Sequence, residues 1–219
     1  MKRKLLYCLL CCSTLLFGCA AGYKTLNPES LAYVRDNASS PNISAEYHFN
    51  GLAGAKNKKY HKKEIKRGTQ LVAIKISNNT SEDLEYNKNF LLYSGQTQVS
   101  VLPVETVHND LKQQAPLYLL HLLWTFTNLT TNTSSSSNGT VTSSETKVFP
   151  IGLIIGPVVA FGNVLVASSA NNKFRSELTK HSIFNKVIKK GETAFFLVGL
   201  KSSGFAPISV KTTNVTSGI

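Results

Sequence analysis

Beyond position 19 the chain has no cysteine: Cys8, Cys11, Cys12 and Cys19 are the full set of four. The body of the protein therefore has no disulfide framework, no thiolate metal site and no cysteine nucleophile, and its core must hold without staples. The five histidines (His48, His61, His108, His121, His181) are scattered, with no pair at ligand spacing, so no zinc or other metal site is expected. No Gly-x-Ser-x-Gly motif occurs, and Gly152, Gly156 and Gly162 do not follow a strand in the spacing of a phosphate-binding loop. Catalysis needs positioned titratable groups, and none can be named; the expectation is a non-enzyme without a cofactor. Collagen-like repeats, heptads and a disordered-type charge excess are missing too. What remains, 219 residues of which 42% are apolar, suffices for one or two domains with a real core.

The amino terminus is the most informative stretch. Met1-Lys2-Arg3-Lys4 is a basic region, and the thirteen residues from Leu5 to Phe17 carry no charge. Thirteen residues suit the apolar part of an export signal and are too few to span a bilayer of about 30 Å as a helix. The segment closes in Leu16-Phe17-Gly18-Cys19, which resembles the lipobox of bacterial lipoproteins, with Phe17 departing from the usual small or aliphatic residue. The resemblance implies a signal peptide over 1–18, cleavage before Cys19, and acylation of that residue's thiol and new amine by fatty chains such as palmitate. The alternative is an ordinary secretory signal in which Cys19 is incidental. Three acyl chains at about 0.8 kcal/mol per buried methylene make anchoring effectively permanent. In that family, absence of aspartate after the cysteine, here Ala20, implies sorting to the outer membrane. Ala20-Ala21-Gly22-Tyr23-Lys24 also lacks the acidic run of surface-exported lipoproteins, so a periplasm-facing anchor is expected.

The chain carries 24 Lys+Arg against 12 Asp+Glu; without Lys2, Arg3 and Lys4 the balance is 21 against 12, a net charge of +9. Seven of these cations fall within twelve residues: Lys56, Lys58, Lys59, Lys62, Lys63, Lys66 and Arg67, opposed only by Glu64. Such a run can contact lipid phosphates or another envelope polyanion. The plainer reading is a solvated loop or edge strand, where lysines discourage edge pairing. Nucleic acid is not an expected partner, because Tyr60 is the run's single aromatic and no stacking groove can be built from it. Asn-x-Ser/Thr triplets (Asn37, Asn42, Asn128, Asn138, Asn214 among them) follow from composition and are discounted as glycan sites.

Residues 19–42, with Pro28 and Pro41 and no sustained periodicity, read as a tether to a domain beginning near Ile43. Tyr47 and Phe49 suggest a first strand, and 69–78 is the clearest one, with Val72, Ile74 and Ile76 on one face. Further strands are expected at 90–93, 98–102, 193–200 and 207–212. Leu71 to Asn79, Leu84 and Phe90-Leu91-Leu92-Tyr93, with Lys190-Gly191-Glu192-Thr193 before a late strand, resemble a pattern of exported immunoglobulin-like domains. That likeness implies a β-sandwich binding or scaffold module over 43–104 and 191–219. As a whole the chain also resembles Bacteroidota lipoproteins of no assigned activity.

Between those parts, 105–190 reads as a helical insertion, giving a mainly β, α+β chain: an immunoglobulin-like sandwich interrupted by an apolar helical hairpin. Residues 105–114 can form a polar helix, 116–129 are leucine-rich, and 127–147 form a Ser/Thr/Asn tract that reads as a flexible loop. Residues 149–170 carry no charge and by length alone could span a membrane. The expectation is instead a buried helix, regular from near Pro157, packed on 116–129 through the small-residue ladder Gly152, Gly156 and Ala160. Two functions stay open. One is a lipid-anchored module that binds an envelope protein or polyanion, and the other is membrane insertion or perturbation through the apolar hairpin 116–170.

Overall fold

In a computed structural model the described residues are 18–36, 39–40, 42–137, 140–201 and 204–213. The expectations for Cys8, Cys11, Cys12, Leu16, Phe17 and most of the signal lie outside them. So do Asn37, Asn138 and Asn214. The strands are β1 (Val34–Asp36), β2 (Ile43–His48), β3 (Thr69–Asn78), β4 (Leu84–Glu85), β5 (Phe90–Ser94), β6 (Thr97–Gln98), β7 (Leu129–Ser137), β8 (Thr140–Phe149), β9 (Val187–Ile188), β10 (Thr193–Lys201) and β11 (Ile208–Thr212). The helices are α1 (Gly51–Gly54), α2 (Lys58–Arg67), α3 (Val104–Leu111) and α4 (Gly152–Lys180), with 3₁₀ segments at Pro28–Ser30 and Ala115–Phe126. The chain divides into two compact units, one from Met1–Ala21 and Gln114–Ser169, the other from Gly22–Gln113 and Ala170–Ile219.

In the second unit an antiparallel sheet runs β1-β2-β3-β10, and a smaller one runs β11-β5-β6. The long β3–β10 pairing sets Ile74 opposite Phe196 and Val72 opposite Val198. These residues and Ile76 meet Phe90, Leu92, Ile208 and Val210 of the smaller sheet in one buried cluster. The alternate residues are buried as well: Leu71, Ala73 and Leu197 pack against Tyr60 of α2, Val107 and Leu111 of α3, and Phe174 and Leu178 of α4. The larger sheet is thus covered by a sheet on one face and by helices on the other, an α+β arrangement. Burial on both faces explains why β3 is almost continuously apolar rather than strictly alternating. α3 lies so close to β10 that a Cβ on Gly199 would sit 2.2 Å from a Val107 methyl carbon.

Several expectations are corrected here. The described part of the expected tether 19–42 is not free. β1 pairs with β2, and Tyr23 and Leu26 are buried in the helical cluster, which holds the segment by aromatic packing. The insertion is Gln114–Ser169 rather than 105–190, because α3 and the final turns of α4 close the core of the sheet unit. The Ser/Thr tract is not a loop: β7 and β8 pair antiparallel from Leu129 opposite Phe149 to Ser137 opposite Thr140. Threonine is a good strand former even where no apolar alternation announces a strand. The leucine-rich stretch is a 3₁₀ helix over Ala115–Phe126, so the insertion is not a pair of α-helices. α4 begins at Gly152, with Pro157 inside it rather than in its opening turn. The strand expected at 98–102 is two residues of β6 and a single bridge from Leu102 to Gly199.

Candidate functional site

Three surfaces carry candidate chemistry. The first lies on the unit that contains Cys19, which is exposed with a free thiol. The next residue is fixed: the Ala20 amide donates to Asn163 Oδ1 at 2.5 Å, and Asn163 Nδ2 donates to the Val159 carbonyl. Asn163 therefore links the proposed acylation site to α4. Gly152, Gly156 and Ala160 fall on the packed face of α4. A Cβ on Gly152 would meet the Trp124 carbonyl oxygen at 2.1 Å, and one on Gly156 would meet the Thr125 amide nitrogen at 2.8 Å. The small-residue ladder is thus where the 3₁₀ segment approaches.

The opposite face of α4 overturns the expectation of a buried helix. Ile154, Val158 and Leu165 are 72%, 67% and 70% exposed, and Phe161 lies on the same stripe. An apolar window of the helix has a mean hydropathy of 1.9, enough in length and composition to cross a membrane, yet 22% of it is buried. Leu117, Leu123 and Phe126 of the 3₁₀ segment are exposed as well. A 3₁₀ helix of twelve residues covers one side of α4 at its start and leaves the other bare.

The second surface is the basic run. It forms α2 rather than a loop or edge strand, ending at Gly68 in the left-handed conformation (φ 59°). Its inward side buries Tyr60 and Glu64, four residues apart. Lys58, Lys62 and Lys66 are exposed at successive turns and form one stripe, with Lys56 and Arg67 exposed at its ends. Lys59 and Lys63 are half-buried. Lys63 donates to the Lys112 carbonyl, and burial, then Arg67, Lys112 and Lys66, lower its ammonium pKa. Six of the seven cations are brought onto one helix, with Lys56 in the turn before it, and they do not all face solvent.

The third is a cleft of about 410 Å³ beside α2, lined by His61, Glu64, Gln70, Ile65 and Phe205 among others. Glu64 accepts from the Leu71 amide at 2.7 Å and pairs with His61 Nδ1 at 2.9 Å. A histidine oriented by a carboxylate is half of a general-base arrangement. Among the described residues that line it there is no serine, threonine, cysteine or lysine to act as nucleophile. Sequence reasoning missed this pair because His-x-x-Glu places two side chains together only once the segment is known to be helical. No group of three or more metal-ligating side chains occurs among the described residues. His121, amid leucines, is buried with its Nδ1 on the Tyr118 carbonyl.

Two buried histidines give the sheet unit a pH dependence. Burial, followed by the Lys112 and Arg175 charges, lowers His108; burial, followed by Lys180, lowers His181. The unfolded chain titrates these rings near 6.5, whereas the folded chain refuses the proton until lower pH. Stability is therefore complete above that value and falls as pH drops below it. Thermal melts from pH 7 to about 5 should show a falling Tm. The slope should flatten in His108→Gln/His181→Gln, and an unchanged slope would discount both rings.

No protein-family model matches the chain, and comparison with curated proteins and with solved structures finds no match.

Proposed function

We propose that this is a lipid-anchored cell-envelope protein, acylated on Cys19, non-enzymatic, and serving as a binding or scaffold module. The reading that Gln114–Ser169 rests against the bilayer is carried by one observation: the exposed apolar stripe of α4 belongs to the same unit as Cys19, and Ala20 is hydrogen-bonded to that helix. A stripe of this size on a protein in water is an association hazard, whereas beside three acyl chains it is an extension of the anchor. The lipobox resemblance and Ala20 support a periplasm-facing place at the outer membrane. The two sheets sharing one core are consistent with an immunoglobulin-like sandwich, with α2, α3 and the end of α4 as additions to it. The Lys58, Lys62 and Lys66 stripe is its contact for an envelope polyanion, and an envelope protein is the other candidate partner.

The competing reading makes membrane insertion or perturbation the activity itself, through the apolar residues within 116–170, and the exposure of α4 favours keeping it. Expressing residues 20–219 without the signal separates the two. A soluble monomer that leaves dye-loaded vesicles intact supports the module, and leakage supports perturbation.

Acylation has its own test. Cys19→Ala in the native host should accumulate as a larger precursor without incorporated fatty acid. Normal processing and equal membrane retention would remove the lipobox from the account.

A further inference from the structure

We propose that 152–169 of α4 lies along the surface of the leaflet that receives the Cys19 acyl chains, instead of crossing the membrane, with the β7–β8 hairpin in water on the side from which the anchor enters. This rests on the reading of Cys19 as acylated and of this unit as membrane-bound. The argument is one of depth. Acyl chains on Cys19 fix its backbone near the glycerol level, and the Ala20 amide on Asn163 Oδ1 fixes the middle of the helix there too. From Asn163 back to Gly152 is eleven residues, about 17 Å at 1.5 Å per residue. Were α4 upright, its first residue, and with it the base of the hairpin at Leu129 and Phe149, would lie about 15 Å deep, near the middle of the hydrocarbon.

The hairpin cannot occupy that place. Among the described residues β7 and β8 form a two-stranded sheet, so each strand has an outer edge with unpaired amides and carbonyls. Such edges are not tolerated against lipid. Closing the edges by assembling hairpins into a barrel would require apolar residues at alternate positions. Thr130-Thr131-Asn132-Thr133-Ser134 and Ser144-Glu145-Thr146-Lys147 supply none. A complete crossing by 152–169 meets a different obstacle: Asn163 lies six residues, about 9 Å, from Ser169, which would drag the acylated cysteine's own backbone into hydrocarbon. Lying flat satisfies all three conditions. The exposed stripe Ile154, Val158, Phe161 and Leu165 faces the acyl chains, the hairpin stays hydrated, and Cys19 keeps its level.

Trp124, the chain's single tryptophan, reports the depth, because its carbonyl lies against Gly152. The acylated full-length mature protein is added to preformed vesicles whose lipids are brominated either near the glycerol or near the chain ends. A Thr133→Cys variant, with Ser144→Cys as a second position on β8, is treated with a membrane-impermeant maleimide. The expected result is stronger Trp124 quenching by bromine near the glycerol, with complete labelling of both cysteines before detergent is added. Stronger quenching from the chain ends, with both cysteines protected until detergent, would overturn the flat placement in favour of a crossing helix. No quenching by either lipid, on protein confirmed by mass to be acylated and vesicle-bound, would overturn the reading on which it rests.

Discussion

Glu177→Ala should lower Tm by about ten degrees and release the amino-terminal segment of the sheet unit. Glu177 is 7% exposed, and its carboxylate collects three donors: the Tyr23 hydroxyl at 2.5 Å, the Leu26 amide at 2.8 Å and the Asn27 amide at 3.1 Å. Tyr23 is wedged between Tyr60 and Phe174, with ring centroids 5.1 and 5.2 Å away. Burial and then the hydrogen bond to Glu177 raise the Tyr23 hydroxyl well above its usual pKa, so the tyrosine stays a donor and the carboxylate an acceptor. Alanine strands three donors, each costing about 1–3 kcal/mol if it stays buried. Because the segment can peel away and rehydrate, the net cost should settle near about 3–5 kcal/mol, and 1 kcal/mol moves Tm by about 2–4 °C at this size. Trypsin should then cut after Lys24 and Arg35 faster than in the native protein. Tyr23→Phe, which removes one donor and keeps the ring, should cost about 1 kcal/mol. An unchanged melt for Glu177→Ala, with native protection at Lys24, would mean that the segment is held by its rings alone.

Local pattern revealed the sheet and hid what covers it. β3 and β10 were legible because nine or ten residues of near-continuous apolar character, bounded by Gly68 and by the Asn78 turn, leave little choice but a buried strand. Asn78 illustrates how local that signal is: its side chain donates to the Glu82 and Ile188 carbonyls and accepts from Thr80, closing the turn. α2 was obscured because lysines dominate it, and the two residues that bury it, Tyr60 and Glu64, look incidental in a charged run. Glu64 is buried for a non-local reason, to cap the Leu71 amide at the start of β3. Residues 22–36 gave no periodicity because single anchors, Tyr23 and Leu26, dock them, not a repeating face. At the candidate site, the ladder Gly152, Gly156, Ala160 was readable from spacing, and it does lie on the packed side of α4. Spacing does not reveal how far a partner extends. The partner turns away after Thr127, which leaves an apolar face that no residue count could have foretold. The hydrogen bond from Ala20 to Asn163 joins residues 143 positions apart, and no sequence rule reaches it.

Val158→Asp combined with Leu165→Asp should abolish spontaneous vesicle binding by the unacylated chain 20–219 while leaving its melting temperature in water nearly unchanged. The contrast follows from where the two side chains point. At 67% and 70% exposure they have few packing partners to lose, so the folded state in water should shift by no more than about 0.5 kcal/mol, as for ordinary surface substitutions. In contact with lipid the account differs. Burying a valine or leucine side chain contributes about 1.5–3 kcal/mol, so losing both removes several kcal/mol of binding. Each aspartate adds the cost of bringing a carboxylate to the apolar boundary. At 1.4 kcal/mol per factor of ten, a drop in partitioning of about a hundredfold or more is expected. Ala160→Asp supplies the opposite control. Ala160 is fully buried on the packed face, so a charge there should destabilise the insertion itself, lowering Tm before lipid enters the experiment. Flotation of the three proteins with vesicles, alongside melts without lipid, separates the possibilities. If the double variant floats like the parent, the exposed stripe is not the membrane contact. If it instead melts early, Val158 and Leu165 are core residues in solution, and the bare face of α4 is covered by a second copy of the chain.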